Sequence, residues 1–503
     1  MILGVPPSRF PPRPGCGYGA TAAMQGNHRR RFAEFRHSYL RSSRPPRSSF
    51  PGVEIARRIW PTGGLWRHAD FLKLWSAETV SQFGTQVSQL ALPLAAVLVL
   101  DASAFQVAAL GTVEFLPFIL FTLPAGVWVD RLPRRPILIA GDLGRAALLA
   151  TIPLAYLMDA LTLGQLYVVG FLVGVCTVFF DVAYQSYLPA LVERDYIIEG
   201  NSKLEISRSS AQIGGPGFGG VLVQIFTAPY AILVDAASFL GSGIFILQIQ
   251  KQEPRPEPAR DEKGEKPSLW TELKEGLRFV LGNANLRAQA GCTATSNFFS
   301  QFTFAIIIVF LVRELGLSPG VIGLVFSLGS VGALLAAFTS MRISRRFGIG
   351  PTSIAMGLLW GPATLLVALA PEGNAAIPFL VVAQLALGFA IVVYNIVQLS
   401  YRQAICPPRL QGRMNAVMRF IVWGTIPIGS LLGGALATWI GLRETMVIGA
   451  IGSGLSFLWI LLSPQRRLRE MPEPVEEEPR TTELGAALPG VADPLSAADD
   501  ALA

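Results

Sequence analysis

Between about residues 71 and 462 the chain alternates twelve apolar stretches, each of about twenty residues or more, with short polar breaks. A stretch of that length spans the hydrocarbon of a bilayer as a helix. Backbone groups find no water there, so each span must satisfy its own hydrogen bonds, and helices do so. A membrane barrel would instead show alternating segments of about ten residues. Composition agrees: of 503 residues 51% are hydrophobic and only 15% charged, against about 25% in soluble domains. The 50 glycines and 36 prolines lie largely inside the apolar stretches, as they do in transmembrane helices. The expected fold is an all-α, multi-pass membrane protein of twelve helices.

Lysine and arginine total 41 against 34 acidic residues. Nearly all the basic residues inside the spanning region sit in the breaks at 130–136, 189–203, 250–287, 342–350 and 400–413. The breaks on the other side hold only Arg313 and Arg443. This asymmetry predicts both termini in the cytoplasm, in the cell membrane, and accounts for the basic balance without a nucleic-acid partner. Residues 1–69, rich in arginine, proline and serine, read as a disordered cytoplasmic extension or an over-extended start, with Met24 as the next candidate. A transit peptide is the alternative. Domains are expected at 70–249 and 286–463, six spans each, joined by a cytoplasmic linker at 250–285. The tail 464–503 reads as disordered. Within the linker Trp270, Leu273, Leu277, Val280 and Leu281 share one helical face, which predicts an amphipathic helix on the cytoplasmic leaflet.

The two six-span units echo each other. Arg208 precedes Pro216 by eight residues and Arg419 precedes Pro427 by eight, and small-residue steps follow at Gly215/Gly219 and Gly429/Gly433. Duplicated units of this kind are typical of secondary transporters. The run Gly126-Val-Trp-Val-Asp130-Arg131-Leu-Pro-Arg134-Arg135 resembles the loop signature of the major facilitator superfamily, with Pro133 where glycine is usual. Ala211-x-x-x-Gly215-Pro216-x-x-Gly219-Gly220 resembles its antiporter signature, with Ala211 in place of the first glycine. The runs 184–192, 273–280 and 411–420 resemble the drug and siderophore exporter branch, which includes enterobactin exporters and macrolide efflux pumps. The resemblance implies two six-helix bundles around a central cavity, alternating access, and export driven by an ion gradient, usually of protons.

Candidate residues fall into four groups. Gly126, Asp130, Arg131, Arg134 and Arg135, with Asp181 as a partner for Arg131, form a candidate gate whose charge pairs lock one bundle arrangement. Ala211, Gly215, Pro216, Gly219 and Gly220 permit bending and close helix contact. Ionisable groups within the membrane are functional hypotheses by default. Glu114 is the first candidate for proton coupling, followed by Asp142, Arg145 and Asp235, with Asp142 and Arg145 one turn apart and able to pair. A polar stripe Glu78, Gln82, Gln86 and Gln89 on span one, with Tyr184 and Gln185 on span four, Thr293, Asn297 and Gln301 on span seven, and Tyr394, Asn395, Gln398 and Tyr401 on span ten, is expected to line the cavity. The bland reading of that stripe is interhelical hydrogen bonding.

An enzyme is not expected. No H-E-x-x-H run, phosphate-binding loop or metal-ligand set occurs, and the three histidines, His28, His37 and His68, all precede the first span. No cofactor or metal is expected. The four cysteines form neither a metal spacing nor a disulfide framework. The leading expectation is a monomeric, proton-coupled exporter of a small amphipathic molecule. The alternatives are an uptake permease of the same fold or a non-transporting receptor.

Overall fold

A computed structural model describes residues 64–129, 132–251, 253 and 269–470. The expectations for most of the 1–69 extension, for the first part of the linker, for the tail past 470, and for Asp130 and Arg131 lie outside those residues. The described residues are helical with short connections, and ten of the helices are long and apolar enough to cross a membrane.

The first unit comprises α1 (Ala69–Leu98), α2 (Ala104–Val129), α3 (Arg134–Leu157), α4 (Leu163–Leu191), α5 (Ile197–Phe226) and α6 (Ala228–Leu247). The second comprises α7 (Ala284–Phe304), α8 (Pro319–Phe347), α9 (Ile349–Ala368), α10 (Ala376–Ile405), α11 (Pro408–Ile440) and α12 (Leu442–Leu455). Helices α1 and α5 are 30 residues each and pack within the same bundle. Their glutamines and glycines keep them below the apolarity of the other ten. Side-chain caps mark several starts: His68 accepts from Phe71 N (3.0 Å), Thr162 from Gln165 N (3.3 Å) and Asn283 from Asn285 N (3.0 Å).

The repeat is visible in the packing. In the first unit Gly215 lies against Gln86, and Gly219 against Val87, so α5 rides closely on α1. In the second, Gly429 lies against Phe298 and Gln301, and Gly433 against Phe302, so α11 rides on α7 in the same way. The next glycine of each step faces the other unit. A Cβ on Gly220 would come within 3.0 Å of Gly323 Cα in α8, and one on Gly434 within 2.4 Å of Ala108 Cβ in α2. Hydrogen bonds tie the same two crossings: Gly217 N donates to Ser327 Oγ (2.8 Å) and Ser430 Oγ to Ala108 O (3.0 Å). The sharp turns match as well. Thr227 (φ +72°) joins α5 to α6, and Gly441 (φ +107°) joins α11 to α12.

The two ends of the molecule differ. At the end carrying few basic residues, one continuous apolar core joins both units, from Leu94 and Val97 through Val223 to Ile306–Leu311, Ile322 and Leu380. Here α7 breaks after Phe304, and the run Ile307–Val309 with a π-helical turn at Phe310–Glu314 fills the space between units. Arg313 donates to Asp101 across them (2.5 Å). At the basic end the cores are separate, one around Phe71, Tyr187 and Ile246 and others around Val280, Met414, Val393 and Tyr401.

The linker helix, Leu269–Gly282, packs one face on the second unit. Val280 is fully buried against Leu286, Met414 and Val417, and Gly276 meets the Arg413 backbone, so part of the helix docks on α11. Glu275 pairs with Arg413. Leu277 and Leu281 stay exposed. The missing Cβ at Gly276 is what lets the two helices approach.

Candidate functional site

A chain of cavities runs between and into the two units. The central one, about 550 Å³, is lined by Gln86, Gln89, Glu114, Phe115 and Pro216 of the first unit and by Gln301, Phe326 and Ser430 of the second. It shares Gln89 and Glu114 with a chamber of about 470 Å³ in the first unit, where Glu78, Gln82, Arg145, Asp181, Arg208 and Asp235 meet Tyr184 and Gln185. The second unit holds a small cavity of about 130 Å³ beside Asn297, Gln301, Trp360 and Gln384, and one of about 330 Å³ lined by Thr293, Tyr394, Asn395 and Gln398. The amide ladder of α1 therefore faces cavities along its length. Its side chains recur every three or four residues, which keeps them on one face of the helix.

Glu114 belongs to both the central cavity and the first chamber. It sits over the glycines of α4: a Cβ on Gly170 would lie 2.9 Å from Glu114 Cγ, and one on Gly174 would lie 2.8 Å from the Glu114 carbonyl oxygen. Glu114 Oε1 is buried without a hydrogen-bond partner. Asp142 is a contrast. It is fully buried, its Oδ1 accepts from Arg145 Nη2 (2.6 Å) and its Oδ2 from Ser242 Oγ (2.7 Å), so it links α3 to α6. Arg145 lies between the rings of Phe180 and Phe239, at 4.3 and 4.0 Å. Asp142 is thus spoken for, and it lines none of these cavities. Asp235 is buried with Ser238 as partner (3.0 Å) and borders the chamber. Glu78 accepts from Gln82 (2.7 Å).

Of the loop motif, Arg134 and Arg135 bind within the first unit. Arg134 Nη1 and its backbone N bind Glu253 (3.0 and 2.7 Å), and Arg135 donates to the carbonyls of Leu247 and Ile246 (2.7 and 3.3 Å). Both tie α3 to the end of α6 within the first unit. Asp181 faces the chamber near Arg145 and Arg208. Gly126 has open space where a Cβ would be, so no close contact demands glycine there. In the antiporter motif Ala211 is fully buried, Pro216 borders the central cavity, and the glycines make the contacts described above.

Tyr401 lines none of these cavities. It is buried, and its hydroxyl accepts from Asn285 Nδ2 (2.7 Å). Arg402, one residue on, lines the second unit's chamber instead. Its spacing of four from Gln398 and eight from Tyr394 was a usable signal. Asn297 Nδ2 donates to Val422 O (3.2 Å), and Tyr394 shares a hydrogen bond with Thr293 (3.0 Å). The aromatic pair Phe115–Trp423, 6.0 Å apart, joins the units beside the cavity and had no separate signature in sequence.

Residues 64–484 match the family described as transmembrane secretion effector, within the major facilitator superfamily. The chain belongs to this family. The multidrug efflux pump Tap of Mycolicibacterium fortuitum is 29% identical over 384 residues, covering 74% of this chain and 88% of that protein. An uncharacterised major facilitator transporter of Bacillus subtilis, YfiS, is 25% identical over 75% of this chain and 89% of its own length. Among solved structures, a bacterial homologue of the iron transporter ferroportin in an inward-facing state superposes with a TM-score of 0.62 at 16% identity, covering 80% of this chain and 99% of that one. The nucleoside transporter NupG gives 0.61 at 14%, covering 78% and 98%. These likenesses show the major facilitator fold. As a member of the superfamily the protein is a multi-pass membrane transporter of small molecules and not an enzyme. One run, Gly316-Leu-Ser-Pro-Gly320, has the G-x-S-x-G spacing of a hydrolase nucleophile. Ser318 however opens α8 at one end of the fold, while His68, the only histidine among the described residues, caps α1 at the other.

Proposed function

We propose that this transporter exports a small amphipathic molecule, a drug, siderophore or secondary metabolite, in exchange for protons, by alternating access within a monomer. The observation that carries the reading is Glu114: a carboxyl shared by the central cavity and the first chamber, with a buried oxygen that no protein group satisfies. Such a group can exchange a proton with water entering the cavity, whereas Asp142, held by Arg145 and Ser242, is a structural ion pair. Amides, hydroxyls and aromatic rings around the rest of the cavity suit a ligand with polar and apolar faces. The relatedness to a multidrug efflux pump supports export.

All twelve long helices are read as spans, with the basic end in the cytoplasm. The sealed end is then external, and the separate cores at the basic end correspond to an inward-facing state. Alternating access follows if the crossings α2–α11 and α5–α8 act as the surfaces on which the units rock. The charges of the loop after α2, including Asp130 and Arg131, would steady that rocking at the cytoplasmic face.

Proteoliposomes loaded with a pH indicator test the coupling. Addition of amphipathic dyes and antibiotics from a panel should release protons in step with transport. Glu114→Gln should lower gradient-driven accumulation roughly a hundredfold, the scale of losing one proton-transfer group, while dye-for-dye exchange continues. Undiminished gradient-driven flux in that variant would remove Glu114 from the coupling step.

A further inference from the structure

The second unit's chamber carries arginines that no carboxylate among the described residues neutralises. It is lined by Gln289 and Thr293 of α7, Tyr394, Gln398 and Arg402 of α10, and Arg419 and Trp423 of α11, and no carboxylate borders it among the described residues. Arg402 Nε is buried without a hydrogen-bond partner. The guanidinium of Arg419 lies over the Trp423 ring at 4.9 Å and has no ion-pair partner among the described residues. Two buried amides add donors. Gln289 is 1% exposed with both its amide atoms unpartnered, and Gln398, 3% exposed, has an unpartnered Nε2.

The orientation of Gln398 is set from behind. Gln465, on the turn after α12 and fully buried, donates its Nε2 to Gln398 Oε1 (3.3 Å). That bond occupies the acceptor and leaves the amide nitrogen at the chamber wall. The first unit treats its arginines differently, since Arg145 pairs with Asp142 and Arg208 faces Asp181. Buried donors are ordinarily satisfied. A cluster of unsatisfied donors with two cations and no acid is built for an acceptor that comes from outside.

We infer that this chamber binds an oxyanion group, a carboxylate or phosphate, carried by an amphipathic molecule. The inference rests on the transport reading above and deepens it by naming the cargo's chemistry: an acidic amphiphile, its anion between Arg402 and Arg419 and its apolar part against Leu399, Met418, Val422 and the Trp423 ring. A volume of about 330 Å³ accommodates a head group and a short apolar segment. An anionic lipid head group presents the same chemistry, and the experiment separates the two sources.

Full-length protein in phosphatidylcholine nanodiscs is titrated calorimetrically with decanoate and, separately, with decanol. Decanoate should bind about tenfold tighter than decanol, the worth of one charge-assisted hydrogen bond. Arg402→Gln should remove that difference by weakening decanoate alone, and Arg402→Lys should keep most of it. Equal affinity for the two probes in the unaltered protein, or a decanoate affinity untouched by Arg402→Gln, overturns the proposal. If Arg402→Gln does not fold, Arg419→Gln is read on the same two probes with the same criteria. Exchanging part of the phosphatidylcholine for phosphatidylglycerol identifies the source. Competition against decanoate assigns the oxyanion site to a lipid head group, and unchanged affinity assigns it to cargo. The titration needs no proton gradient, so its failure is a separate result from failure of the Glu114 coupling.

Discussion

The two units share one architecture and differ in what they bury. Each packs its fifth helix on its first through a pair of glycines and offers a further glycine to the other unit. The interior of the first unit then holds Glu78, Glu114, Asp142, Asp235 and Arg145, all acids or bases. The interior of the second unit is built from Gln289, Thr293, Ser296, Tyr394 and Gln398, amides and hydroxyls, with Arg402 and Arg419 at its chamber and no carboxylate there among the described residues. Duplication therefore preserved the helix contacts and let the chemistry diverge. Backbone approach at a glycine step depends only on missing side chains, so it survives changes elsewhere. Buried charge is costly where it has no partner, so it is kept only where a task requires it.

This contrast can be broken by measurement. The largest effect should come from Asp142→Ala, which leaves Arg145 buried and uncompensated. The expected loss is about 3–5 kcal/mol, read as thermal unfolding in detergent. A loss as small as that of an amide substitution in the second unit would end the distinction between the interiors. Gly323→Leu tests the shared architecture, because a Cβ there would meet the Pro216 carbonyl oxygen at 2.2 Å and Gly220 Cα at 2.9 Å. Backbone atoms cannot give way as side chains do. Overpacking should cost about 1–3 kcal/mol and, by prising α5 from α8, should slow dye transport more than it weakens dye binding. Equal loss of rate and affinity would argue that the crossing is not where the units move. The smallest effect is expected from Tyr394→Phe, which removes the hydrogen bond with Thr293 and should cost about 1 kcal/mol. A far larger loss would show that the second interior is as tightly interlocked as the first.

The apolar helices and the cavity-facing glutamines were legible because hydrophobicity and helical period act locally. Gln82, Gln86 and Gln89 recur at the helix period and line cavities as that period requires. The family resemblance, carried by the loop and span-five runs, held over residues 64–484. Other parts were not legible. Tyr401 and Arg402 are adjacent, about 100° apart around α10, and the polarity of both left open which one faces the cavity. The linker helix shows an apolar stripe, yet nothing in that stripe distinguishes a lipid surface from α11. The Asp142–Arg145 pair was legible from its spacing, but that Ser242 completes it while Glu114 Oε1 finds no partner is decided by the packed neighbours.

What the amino-acid order determined alone is the solvent of each segment: long apolar runs must be helices in a bilayer, since that follows from transfer free energies of single segments. What the tertiary structure decided is which polar group meets which. That Ser242 reaches Asp142, that Gly220 meets Gly323 across the units, and that Arg402 and Arg419 find no acid among the described residues, depends on which helices, about a hundred residues apart in sequence, arrive side by side. Pairing in a dry interior is a property of neighbours in space, and neighbours in space are what packing alone creates.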